Sequence, residues 1–189
     1  GDVFINLDKP AIERSLSKLG VTAITEDMLD TAMQYEKGLI STDDFVKAFT
    51  AKYPSISAAE FKNAWNSIIL EFPEYRLEFV ENLSIHKNYK LILLSNTNAL
   101  HIEQVIENMT LHRYERFKKC FDKFYLSHEI QLRKPDPSIY EFVLKENKLQ
   151  ASKCFFVDDI KENTQAASQL GIYTWNNNPA KEDIINIFD

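Results

Sequence analysis

From Pro10 to about Arg76 the apolar residues recur at helical spacing. Ile12, Leu16 and Leu19 share one helical face, and Gly20 follows where a helix end favours glycine. Ser41, Thr42, Asp43 and Asp44 supply helix-start chemistry just ahead of Phe45, Val46, Ala48 and Phe49. Ser57 through Leu70 predicts another helix, with Phe61, Trp65 and Ile68 on its apolar side. Nothing in this stretch predicts a strand.

After Glu78 the pattern changes. Short apolar runs, Lys90–Leu94, Lys123–Leu126, Lys153–Val157 and Ile172–Trp175, alternate with amphipathic stretches at Leu100–Met109, Ser138–Glu146 and Asn163–Leu170, the last followed by Gly171. Apolar runs of four or five residues read as buried parallel strands, and strand–helix repetition predicts an α/β, Rossmann-like parallel sheet with helices on both faces. The all-helical stretch then reads as an insertion. The expected organisation is an α/β core from residues 1–9 and 78–189 and a helical cap over 10–77.

Composition narrows the function classes. The 189 residues, 44% hydrophobic, can bury a sizeable core. A formal net charge of -6 disfavours nucleic acid or an anionic membrane as partner, and no apolar run approaches the roughly 20 residues that span a bilayer. Cys120 and Cys154 have no metal-ligand spacing, and Cys154 in its apolar run reads as a buried free thiol, consistent with a reducing cytoplasm. His86, His101, His112 and His128 are scattered and read as structural or surface residues, while Phe155 and Phe156 read as strand core.

In open α/β sheets ligands bind beyond the carboxyl ends of the strands. The first predicted strand runs into Ser95-Asn96-Thr97-Asn98, hydroxyl and amide groups ahead of a helix, which can cap that helix or hold a phosphate. The second ends at Ser127 and leads to Arg133-Lys134-Pro135-Asp136-Pro137, where two prolines stiffen the chain around a lysine. The third exits into Asp158-Asp159, with Asn163 four residues beyond. Adjacent carboxylates cap and charge-compensate a helix, or they offer hard oxygen ligands suited to Mg²⁺. A lysine over them would offset their charge and contact a transferring phosphoryl group.

A Ser after one strand, a Lys in the next connection and an Asp pair after the following strand resemble the motifs of the haloacid dehalogenase superfamily. The resemblance runs through Leu93-Leu94-Ser95-Asn96-Thr97-Asn98, Arg133-Lys134-Pro135-Asp136-Pro137 and Phe155-Phe156-Val157-Asp158-Asp159-Ile160-Lys161-Glu162-Asn163, and covers nearly the whole chain. Gly38–Phe45 looks like the helical cap of the subgroup whose cap follows the first motif, and the sequence is especially similar to bacterial sugar-phosphate phosphatases of that subgroup. The resemblance implies Mg²⁺ held by Asp158 and Asp159, phosphoryl oxygens bound by Ser95, a catalytic Lys134 that steadies nucleophile and phosphate, and substrate contact from Asn96. The implied chemistry is hydrolysis of a small phosphorylated metabolite, a sugar phosphate first among them, through an aspartyl-phosphate.

The family's first motif is a strand ending in Asp-x-Asp or Asp-x-Gly. Gly1-Asp2-Val3-Phe4-Ile5-Asn6-Leu7-Asp8 fits the tail of the second form, so the nucleophilic aspartate is expected two positions before Gly1, on a central strand outside the given sequence. Asp2 lies one position off the family's acid–base site, and Asp8 reads as the cap of the first helix. Two alternatives stand beside the phosphatase: a metal-independent dehalogenase, which the paired acids disfavour, and a non-catalytic phosphate-binding or regulatory protein of the same fold.

Overall fold

The computed structural model describes residues 1–86 and 89–188. Four helices come first: α1 (Ala11–Lys18), α2 (Glu26–Glu36), α3 (Thr42–Lys52) and α4 (Ala58–Asn66). Their starts follow the sequence signals. The Ser41 hydroxyl accepts the Asp44 N–H ahead of α3, and Ser57 with Glu60 forms a reciprocal capping box on α4. Asp8 departs from expectation. Pro10 holds the N-cap of α1 and makes no side-chain cap bond, while the Asp8 carboxylate is drawn off by both terminal nitrogens of Arg14. The four helices close on Leu16, Tyr35, Phe45, Phe49 and Phe61, with Phe49 and Phe61 stacked at 3.9 Å between ring centroids. Two chain segments enter and leave this layer side by side: Leu7 pairs with Ile69 in an antiparallel bridge, flanked by Asn6 N–H to Glu71 O at 3.0 Å and Asp8 N–H to Ile68 O at 2.9 Å.

The remainder alternates strand and helix, as its apolar pattern predicts. α5 (Glu74–Ile85) leads to β1 (Ile92–Ser95), α6 (Ala99–Met109), α7 (Leu111–Lys119), β2 (Lys123–Leu126), α8 (Ser127–Ile130), α9 (Pro137–Glu146), β3 (Phe155–Asp158), α10 (Lys161–Gln169) and β4 (Tyr173–Asn176). α5 runs through the 77/78 boundary expected from sequence. Its Leu77 and Val80 pack with Val105 and Phe117 rather than with the first four helices. Consecutive residues of a strand face opposite ways. Accordingly Leu93 joins the cluster of α5, α6 and α7, whereas Leu94 joins that of α9 and α10, which places helices on both faces.

The strands pair in parallel as β1 with β2 and β3 with β4, and among the described residues no ladder joins the two pairs. Between them lies a cavity of about 580 Å³ whose lining includes Ile92, Leu94, Tyr140, Phe155 and Phe156. This corrects two expectations. All four β1 residues are only half-buried, and Phe155, read as strand core, is 56% exposed. Cys154 is likewise half-buried, while Cys120 is the buried thiol. No helix among the described residues is long and apolar enough to cross a membrane.

Candidate active site at the carboxyl ends of β1 and β3

β1 ends at Ser95 and β3 at Asp158, and Lys134 connects the two ends. Its ammonium group donates to Asp158 Oδ2 at 2.6 Å and to the Leu94 carbonyl at 2.8 Å, with both side chains of the ion pair under a tenth exposed. Asn96 fixes the loop that carries the lysine. Its Nδ2 donates to the Lys134 carbonyl and its Oδ1 accepts the Lys134 N–H, each at 2.9 Å. Asp136 then accepts the Ser138 N–H and starts α9 with Pro137 in its first turn, so the loop is anchored on both sides of Lys134. The Ser95 hydroxyl is half-buried and makes one long bond, 3.4 Å, to the Asn96 carbonyl.

The Asp158 carboxylate is held on all sides. Its Oδ1 accepts the Ile160 N–H and Asn163 Nδ2, each at 2.9 Å, and Asn163 is itself positioned by Tyr140, whose hydroxyl donates to the Asn163 carbonyl at 2.8 Å. Burial alone would raise the Asp158 pKa. The charge and hydrogen bond of Lys134, with the Ile160 and Asn163 donors, outweigh it and hold the carboxyl below its ordinary value.

Asp159 is held by the segment that leads into α1. Its Oδ2 accepts from Lys9 Nζ at 2.6 Å, and the same ammonium lies 3.0 Å from Asp2 Oδ2. Asp2 is buried at a φ of +49° and accepts the Leu7 N–H through Oδ1. Burial would lower the Lys9 pKa, but the Asp159 and Asp2 carboxylates raise it.

The structure therefore gathers Lys134, Asp158 and Asp159, with Asn96 serving as the clip on the lysine loop and Ser95 at the adjoining strand end. It adds residues that the local pattern did not mark. Lys9 and Asp159 are 150 positions apart, and no periodicity signals their contact. Ser127 was noted only as a strand end. It is fully buried, with its hydroxyl between the carbonyls of Glu36 and Thr97 at 2.6 and 2.9 Å while accepting the Thr97 N–H.

The donor chemistry suits a hard divalent cation. Mg²⁺ takes one or two carboxylates and fills its remaining positions with water and phosphate oxygens. Asp159 Oδ1 has no protein donor among the described residues, and Asp158 keeps one free lone-pair site beside its three bonds. No group of three or more Asp, Glu, His or Cys side chains forms a closed cage among the described residues.

A second network joins the helical layer to α6. Asn98 caps α6 by accepting the His101 N–H, meets His101 Nδ1 at 3.1 Å and receives a long bond from Trp65 Nε1. His101 Nε2 reaches the Trp65 carbonyl at 3.2 Å, and the two rings stack. Burial drives the His101 pKa to about 4, the Trp65 carbonyl opposing the shift, so the ring is neutral at pH 7.

Comparison with known proteins gives the family and the fold. Residues 9–176 match the family model for haloacid dehalogenase-like hydrolases. The chain is 28% identical over 182 residues to a D-ribitol-5-phosphate phosphatase of Bacteroides thetaiotaomicron, covering 93% of this chain and 87% of that protein. Among solved structures, a HAD family enzyme of the same organism, determined as a magnesium complex, superposes with a TM-score of 0.88 at 33% identity over 100% of this chain and 94% of that one. A form of that enzyme with magnesium and inorganic phosphate gives 0.85 at 32% identity, covering 100% and 96%. A predicted HAD-like hydrolase of Porphyromonas gingivalis shares the fold, with a TM-score of 0.82 at 24% identity over 99% and 92%.

Proposed function

The chain belongs to the haloacid dehalogenase-like hydrolases, and we propose that it is a Mg²⁺-dependent phosphatase of small phosphate monoesters. The observation that carries the reading is the Lys134–Asp158–Asp159 arrangement: a buried ion pair beside a carboxylate that keeps one oxygen free of protein donors among the described residues. A dehalogenase acting without metal has no use for that second carboxylate.

In this reading Asp158 and Asp159 hold the cation, which neutralises charge on the phosphoryl oxygens when bound. Lys134 is pinned by Leu94 O and Asp158, and so presents fixed positive charge to the transferring group without reorganising. Ser95 offers its lightly engaged hydroxyl to a phosphoryl oxygen, and Asn96 holds the lysine loop at the substrate's edge. The nucleophile of this reading is an aspartate carboxylate. Transfer to this carboxylate gives an aspartyl-phosphate, which water then hydrolyses. α1 to α4 act as the cap, with Lys9 at the joint between cap and core.

The name of the ribitol-phosphate phosphatase relative puts sugar-alcohol phosphates in the first substrate panel. The intermediate is tested by acid-quenching the natural full-length protein during turnover of acetyl phosphate and mapping its peptides. The reading expects one phosphoryl group on an aspartate. Turnover with no labelled aspartate contradicts it.

A further inference from the structure

A second cavity, of about 540 Å³, opens on the four-helix layer, and its walls differ in character from the site it adjoins. Ile12 and Leu16 of α1, Met28 and Met33 of α2, Phe49 of α3 and Trp65 of α4 face it. This size is typical of a small-molecule pocket. At the end nearest the core it is bounded by Lys9 and Arg133. Lys9 is bonded to Asp159, and Arg133 directly precedes Lys134. A phosphoryl group held at Lys134 and the acid pair would therefore project its organic substituent between these two cations and into the cavity.

Apart from the exposed Glu13, the charged side chains on the lining are committed to one another or to the neighbouring site. Arg133 Nε donates to Glu36 at 2.6 Å, Lys52 pairs with Asp27 at 2.7 Å, Thr31 donates to the Asp27 carbonyl, and Lys9 is held by Asp159 and Asp2. A polyol entering here would surrender water from each hydroxyl and find few free partners, which is costly. A hydrocarbon surface loses nothing of that kind and gains from each methylene buried.

We propose that this cavity receives the organic half of the substrate, and that phosphate monoesters of apolar alcohols, alkyl or aryl, are preferred over those of polyols. The proposal rests on the phosphatase reading and narrows it to one chemical class. Its consequence is a chain-length dependence: each added methylene tightens binding about three- to fourfold until the cavity is filled.

The test measures calorimetric binding of a series of n-alkylphosphonates, which cannot be hydrolysed as esters, to the natural full-length protein with Mg²⁺. In parallel, phosphate release is followed from n-alkyl phosphates, ribitol 5-phosphate and acetyl phosphate. The expected result is affinity and kcat/KM rising with alkyl length, with ribitol 5-phosphate well below hexyl phosphate. Ala48, solvent-exposed on α3 and lining the cavity, gives a variant that spares the core: Ala48→Trp should flatten the length dependence of alkylphosphonate affinity. Affinity independent of alkyl length, or a preference for ribitol 5-phosphate, overturns the proposal. Failure to hydrolyse any ester refutes the phosphatase reading instead, and the alkylphosphonate series then still decides whether the cavity binds apolar chains.

Discussion

Replacing His101 by Gln isolates one titration buried between the helical layer and α6. In the wild type the folded-state pKa is about 4 against 6.5 for the unfolded chain. Between these values the unfolded state binds a proton that the folded state refuses, so stability rises with pH. The contribution is complete above the unfolded value and disappears as pH falls toward 4. A gap of roughly 2.5 units corresponds to roughly 3 kcal/mol across that window. Glutamine keeps a donor for the Trp65 carbonyl but has no proton to gain, and it forfeits the stacked ring. The variant should be about 1–2 kcal/mol less stable than wild type at pH 7.5, and the difference should vanish or reverse near pH 4.5. Urea unfolding followed by tryptophan fluorescence, at half-unit steps from pH 4 to 7.5, reads the two curves. Parallel curves across the whole range would refute the argument that His101 is held neutral by burial.

Two further predictions concern charge and backbone. Lys134→Met leaves Asp158 buried without its cation and should cost about 3–5 kcal/mol at pH 7. Because the wild-type Asp158 pKa is depressed, its stabilising contribution exists above the unfolded carboxylate value and is lost as pH falls through the folded one. The penalty should therefore shrink below about pH 4, and Asp158→Asn in the same chain should restore part of it, as chemical denaturation at pH 7 and near pH 3 would record. Gly38→Ala should destabilise the fold by a few kcal/mol, since the glycine has a φ of +63° and a Cβ there would lie 2.0 Å from the His128 carbonyl oxygen; a thermal melt unchanged from wild type would contradict this.

The strands and their polar exits were legible because both signals are local. Lys123–Leu126 is a short apolar run bounded by polar residues, and its observed limits match those expected. Lys153–Val157 was read two residues early at its start, because Ala151–Lys153 forms a 3-10 turn before the strand, which then extends to Asp158. Ser95, Lys134 and Asp158 were marked by their positions after strands or between prolines. The Lys9–Asp159–Asp2 contact, the Trp65–Asn98–His101 network and the Ser127 bonds to Glu36 and Thr97 were not legible. Each joins residues from different elements, and the geometry that unites them is set by packing rather than by any local period. The packing of Leu77 and Val80 of α5 against α6 and α7 is set in the same way.

The most direct measurement is phosphate release from acetyl phosphate by the natural full-length protein, with Mg²⁺ and again after chelation, beside Asp159→Asn. The account predicts turnover with Mg²⁺, none after chelation, and a loss of about a hundredfold or more in the variant while its fold persists. Turnover that survives chelation, or an Asp159→Asn protein as active as wild type, would contradict it.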